Sequence, residues 1–188
     1  MNEATLFLYL LNFAVIGALP FIFFKQGRLN LMWCLTSAPY VLCSVFLVAS
    51  YMRGYHTQWS SISSLIAVPF SMGSIALIFF TMGTHRVSLA LWHQQNDAPH
   101  HIVTYGPYRR IRHPFYAAFL LVLFGAFVFS PEPGTFFTLL YAALVLNFTA
   151  RREEIRLKSS EFGSEYERYM QKTGRFWPKL QSGAADQI

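Results

Sequence analysis

The stretch Thr104-Tyr-Gly-Pro-Tyr-Arg-Arg-Ile-Arg-His-Pro-Phe-Tyr116 gathers cations, an imidazole and phenol rings immediately ahead of a long apolar run. Ionisable groups at the edge of a bilayer are costly unless paired, so their concentration there points by default to binding or catalysis. A second cluster, Arg151-Arg-Glu-Glu-Ile-Arg-Leu157, follows after enough apolar sequence for two short spans that return the chain to the same face. If the two clusters meet, they can hold a charged ligand. At His113-Pro114 the chain turns into a helix, and proline suits the first helical position because its missing N–H would have gone unpaired. The positive end of such a helix favours an anion, including a carboxylate. Tyr108 and Tyr116 offer electron-rich faces to a sulfonium or ammonium. Glu153 or Glu154 could pair with an ammonium by a charge-assisted hydrogen bond. A zwitterion carrying an extra cation would satisfy all three features.

The elements that must position these residues are membrane helices. With 54% hydrophobic and only 13% charged residues in 188, and a mean hydropathy of +0.33, the chain is too apolar for a soluble domain of its size. The apolar segments run to roughly 20 residues, the length that crosses a hydrocarbon core about 30 Å thick. Full spans are expected at Thr5–Phe24, Leu31–Ser50 and Ile62–Met82. Phe115–Ser130 and Thr135–Ala150 are shorter, and the turn Pro131-Glu-Pro-Gly134 makes them a helical hairpin. The expected fold is therefore all-α: an integral membrane helical bundle of about five transmembrane helices with a cytoplasmic cofactor-binding cap. It is read as one membrane domain over 1–188, with three spans in 1–82 and the hairpin and cap in 83–178. The cap comprises the polar loop Gly83–His113 and a helix Arg151–Met170, on which Ile155, Phe162, Tyr166 and Tyr169 form an apolar stripe. The first span carries Glu3, has no basic lead and shows no small-residue cleavage site after Pro20, so it is expected to be retained.

The net charge of +6 is distributed by topology. Lys25 and Arg28 follow the first span, Arg86, Arg109, Arg110 and Arg112 follow the third, and eight cations from Arg151 to Lys179 follow the fifth; only Arg53 falls on the other side. The positive-inside rule puts the N-terminus outside and both polar clusters and the C-terminal tail in the cytoplasm, in a bacterial inner membrane or its equivalent. A nucleic-acid partner is not expected, because the cations are interleaved with Glu153, Glu154, Glu161, Glu165 and Glu167. Trp33, Trp59, Trp92 and Trp177 fall near span ends, where an aromatic belt sits. Cys34 and Cys43 project from opposite faces of one helix and read as buried small hydrophobes. No metal site is expected: His93, His100, His101 and His113 lack metal-ligand spacing.

Gly106-Pro-Tyr-x-x-x-Arg-His-Pro-x-Tyr116, a short hairpin, Glu153-Glu-x-x-Leu157 and Phe162-Gly-x-x-Tyr166-x-x-Tyr169 together resemble the integral-membrane methyltransferases that include isoprenylcysteine carboxyl methyltransferase and the phospholipid methyltransferases. The resemblance covers roughly residues 83 to 178. It implies an S-adenosylmethionine-dependent methyltransferase whose cofactor enters from the cytoplasm and whose lipophilic or lipidated acceptor enters laterally from the bilayer. By the same resemblance the cofactor is held by His100, His101, Ile102 and Val103, by Tyr108, by His113, Pro114, Phe115 and Tyr116, and by Glu153, with Glu154 in support. The isoprenylcysteine enzymes place a substrate-contacting arginine four residues before the Glu-Glu pair, and that position here is Thr149. The nearest arginines, Arg151 and Arg152, are the candidates to orient an anionic acceptor; Glu154 or His101 would hold an amine acceptor neutral. The acceptor atom, O, N or S, stays open. A non-catalytic membrane sensor or assembly protein on the same scaffold is the alternative.

Overall fold

A computed structural model of the chain describes residues 3–23, 31–54, 60–84 and 102–179. They form six helices: α1 Glu3–Phe23, α2 Leu31–Met52, α3 Ser60–Thr84, α4 Pro114–Phe129, α5 Pro133–Lys158 and α6 Gly163–Lys172, with a 3-10 turn at Gly106–Arg109. There is no strand among the described residues. Leu35–Met52, Ser61–Thr84 and Pro133–Lys158 are long and apolar enough to cross a membrane, while Glu3–Ala18 and Pro114–Phe129 are shorter apolar helices. Pro39 and Pro69 lie inside α2 and α3, as membrane helices tolerate.

α4 is the axis of the bundle. Its sequence is apolar on every side, and such a helix must be wrapped by others; Pro114 through Leu120, Val122, Leu123, Gly125, Ala126 and Phe129 are all buried. α3 packs most extensively against it, and α5 packs on α2 and α4. Gly125 permits close approach, since a Cβ there would run into Phe70 Cβ and the Tyr9 hydroxyl. Two polar links tie α1 to α3: Tyr9 donates to the Ala67 carbonyl at 2.6 Å, and Asn12 Nδ2 donates to the Ser71 carbonyl and hydroxyl at 3.0 Å. Cys43 is fully buried, as expected of a small hydrophobe.

The expected hairpin is present. α4 starts on Pro114, and α5 starts on Pro133 with Glu132 and Thr135 forming a reciprocal cap. Its two arms are unequal, 16 and 26 residues. At about 1.5 Å per residue the returning arm comes level with His113 near residue 149 and carries the Glu-Glu pair just past it.

Here the chain departs from the expected cap helix. Residues 151–158 continue α5, and the chain breaks at 159–162 before α6, so Arg151–Met170 is two helices. Nothing between Ala150 and Lys158 stops a helix, whereas Ser159 and Ser160 turn their side chains back onto the Ile155 and Leu157 carbonyls. The apolar stripe is split accordingly: Ile155 is exposed on α5, while Tyr166 of α6 is buried. His85, His93, His100 and His101, along with His56, Trp59, Trp92 and the side chains of Trp33 and Cys34, lie outside the described residues. Trp177 is exposed.

Candidate functional site

The corner before α4 is held by backbone first. The Arg112 N–H donates to the Gly174 carbonyl at 2.9 Å, the His113 N–H to the Arg175 carbonyl at 3.1 Å, and the Gly174 N–H to the Arg110 carbonyl at 3.1 Å. This short parallel ladder draws the C-terminal tail alongside residues 110–113. Gly106 opens the preceding turn at φ +59°, and a Cβ on it would collide with the Thr84 hydroxyl. On the other side Tyr169 of α6 donates its hydroxyl to the Tyr108 carbonyl at 2.6 Å. Burial raises the pKa of both phenols, so they stay protonated donors.

Within that frame Glu154 is the buried electrostatic centre. Its Oε1 accepts from Arg112 Nε at 2.9 Å and Arg175 Nε at 3.1 Å, and its Oε2 from Arg175 Nη2 at 2.5 Å. Arg112 Nη1 also donates to the carbonyls of Thr173 and Met170. One carboxylate thus ties α5, the pre-α4 corner and the tail into a knot that none of these segments could form alone.

Glu153 faces the same corner in a more open setting. Its Oε1 accepts the Tyr116 hydroxyl at 2.8 Å, and its Oε2 lies 3.4 Å from His113 Nδ1. Its side chain is 25% exposed against 4% for Glu154, so Glu153 is the carboxylate a ligand can reach. The His113 ring stacks on Tyr116 at 5.4 Å and 3° and meets the edge of Phe176. His113 Nε2 is 3.4 Å from Glu154 Oε1, an ion-pair separation without hydrogen-bond alignment. Burial works against the imidazolium, but the carboxylates of Glu153 and Glu154 on either side outweigh it and raise the His113 pKa. The Arg175 pKa is raised in turn by its bonds to Glu154.

The two polar clusters do meet. His113, Tyr116 and Glu153 form one contiguous set, with Tyr108 one hydrogen bond from α6 behind it. Pro114 and Phe115 are buried, and the Phe115 ring turns toward Phe119 in the core. Ile102 and Val103 are half-buried at the start of the last described segment. Arg151 and Arg152 are exposed, and the Arg152 guanidinium sits 5.4 Å from the Phe148 ring centroid, back along α5. Thr149 is buried and donates to the Val145 carbonyl. The sequence counts Arg112 and Arg175 among the cations that follow the third and fifth spans, yet both bind Glu154. Only their sequence-distant convergence reveals them. Among the described residues no three His, Cys, Asp or Glu side chains stand close enough to hold a metal ion.

Two comparisons bear on this arrangement. Residues 71–159 match the model of the isoprenylcysteine carboxyl methyltransferase family, a segment that spans the end of α3, the corner, α4 and all of α5. The chain is also 28% identical over 137 residues to the cobalt-zinc-cadmium resistance protein CzcN of Cupriavidus metallidurans. That alignment takes in 72% of this chain and 60% of the relative, so the chain spans less than two thirds of its length.

Proposed function

From the match of residues 71–159 to the isoprenylcysteine carboxyl methyltransferase family, we propose that the protein is an S-adenosylmethionine-dependent methyltransferase acting on a lipophilic, membrane-embedded acceptor. The observation that carries this reading is the half-open Glu153 carboxylate set against His113 and Tyr116 at the mouth of α4.

The site's chemistry suits the cofactor. Glu153 keeps acceptor capacity for an ammonium after taking the Tyr116 hydroxyl, and it is the more exposed of the two carboxylates. Glu153 would hold the amino group, His113 and Tyr116 would fix that carboxylate in place, and the Tyr108 and Tyr116 rings would face the sulfonium. Pro114 and Phe115 set the start of α4 behind it, and the family resemblance adds His100, His101, Ile102 and Val103 to the residues that would hold the cofactor. When bound, S-adenosylmethionine supplies a methyl carbon whose bond to sulfur breaks as the acceptor's lone pair forms the new one, the released pair leaving a neutral thioether. The protein's tasks are alignment and exclusion of water. Near-attack placement of this kind can remove about 7–11 kcal/mol of barrier. Glu154 acts by positioning, as its lone pairs serve two guanidiniums. Arg151 and Arg152 would meet lipid headgroups at the cytoplasmic face, the side to which the charge distribution assigns the site.

Calorimetric titration of the purified protein with S-adenosylhomocysteine tests the reading. Binding that is lost in Glu153→Ala and His113→Ala supports it; no binding, or binding indifferent to both changes, refutes it.

A non-catalytic role on the same scaffold is the second reading, favoured by Thr149 in the arginine position and by the resistance-protein name of the curated relative. Cofactor binding with no methylated product from native membrane lipids, prenylcysteines or thiols would select it.

A further inference from the structure

We propose that Arg175, brought in by the C-terminal tail, is the specificity-determining residue of the site and receives an anionic head of the methyl acceptor. The inference rests on the methyltransferase reading and extends it to the acceptor. Arg175 gives Nε and Nη2 to the two oxygens of Glu154 and Nη1 to Asn147 Oδ1 at 2.6 Å. A guanidinium carries five N–H donors, so these three bonds leave two for a ligand while fixing the plane of the fork.

Its placement fits a lipid-borne acceptor. Asn147 precedes Glu154 by two turns, about 10 Å along α5 toward the hairpin. By bridging those residues, the guanidinium lies on the bilayer side of Glu154, where a head entering laterally would arrive. The Arg175 side chain is 30% exposed, whereas Arg112 is 8% exposed and directs Nη1 to backbone carbonyls. Of the two guanidiniums on Glu154, Arg175 is the open one, and a single carboxylate leaves positive charge uncompensated between them.

The surrounding groups also disfavour an ammonium acceptor, which must lose a proton before it can be methylated. His113 has a carboxylate at each nitrogen and holds its proton; Glu154 is engaged by both arginines; Glu153 accepts from Tyr116. An anion needs none of these as a base. It supplies the electron pair for the new bond to carbon, the carbon–sulfur pair stays on sulfur, and no proton is released.

The test uses the full chain in lipid nanodiscs, as wild type, Asn147→Asp and Arg175→Lys. Methyl-labelled S-adenosylmethionine is supplied with farnesylcysteine and a long-chain fatty acid, both ionised carboxylates, as anionic acceptors and phosphatidylethanolamine as the amine. S-adenosylhomocysteine binding is measured calorimetrically on each protein. Asn147→Asp offers Nη1 a competing carboxylate at an exposed position. It should raise KM for the anionic acceptor about tenfold, with kcat within about threefold and S-adenosylhomocysteine affinity within about twofold. Arg175→Lys keeps the charge but loses the fork, and should lower the preference for anion over amine while keeping cofactor affinity. Label on the amine in preference to the anions, label on no acceptor despite cofactor binding, or an unchanged KM in Asn147→Asp overturns the inference. So does a parallel fall of cofactor affinity and turnover. Should Arg175→Lys fail to fold, Asn147→Asp decides alone. Absence of S-adenosylhomocysteine binding to the wild type instead removes the methyltransferase reading itself.

Discussion

Glu153 and Glu154, adjacent in sequence, address opposite nitrogens of one imidazole: Glu153 Oε2 lies 3.4 Å from His113 Nδ1 and Glu154 Oε1 lies 3.4 Å from His113 Nε2. Consecutive residues on a helix point about 100° apart, so the pair can clasp a ring that sits against the groove between them. The clasp divides the labour. Glu154 is sealed in by two guanidiniums, and Glu153 keeps a face toward solvent.

That division predicts separable phenotypes. Glu154→Gln leaves Arg112 buried beside an uncharged partner and should cost about 3–5 kcal/mol of stability, read as a large drop in melting temperature in detergent. Glu153→Gln, at the half-open position, should change stability by no more than about 1 kcal/mol while abolishing S-adenosylhomocysteine binding. Equal melting temperatures for the two variants would contradict the division.

The His113 contribution should depend on pH with a definite sign. Its pKa in the folded protein is raised above the usual 6.5 by Glu153 and Glu154. The stabilisation is therefore complete below about pH 6.5 and fades as pH climbs through the higher folded-state value. Thermal melts should show wild type losing more stability than His113→Gln as pH rises from about 6.5 toward 8. Parallel curves for the two proteins would show that the imidazolium is not held by these carboxylates.

Gly106 should resist substitution for two separable reasons, its left-handed backbone and its contact with Thr84. Gly106→Ala should cost about 2–4 kcal/mol in all, of which about 1–2 kcal/mol is backbone strain. Adding Thr84→Ala removes the hydroxyl and methyl that the new Cβ meets and should recover the steric share only. A double variant no more stable than Gly106→Ala alone would rule out the contact as a cause.

Tyr169→Phe removes the hydroxyl that anchors α6 to the Tyr108 carbonyl. The expected loss is about 1 kcal/mol, with faster amide exchange over 163–172 and unchanged exchange in α4. Protection of α6 equal to wild type would mean that the knot at Glu154 holds the helix without this bond.

Much of the scaffold was legible in the sequence because local rules write it. Apolar runs located α1 to α5, and Pro131-Glu-Pro-Gly134 located the hairpin turn, since prolines stop one helix and start the next. The pairing of His113 with Glu153 was also readable: the hairpin is tight, so the end of α5 must return beside the start of α4. The helix boundary at 159–162 was less so, because charge pairs and an apolar stripe ran on through Arg151–Met170 while the break depends on serine side chains competing for backbone carbonyls.

Only the tertiary structure decided which ions meet. Arg112 and Arg175 carry no local mark distinguishing them from the many cations that topology requires, and Arg151 and Arg152 stood nearer the acidic pair in sequence yet turn outward. The choice is made by the ladder between residues 110–113 and 174–175, formed by backbone groups that are chemically alike in every residue. A buried carboxylate such as Glu154 needs its countercharges close at hand, and chain packing, not sequence proximity, determines which arginines can supply them.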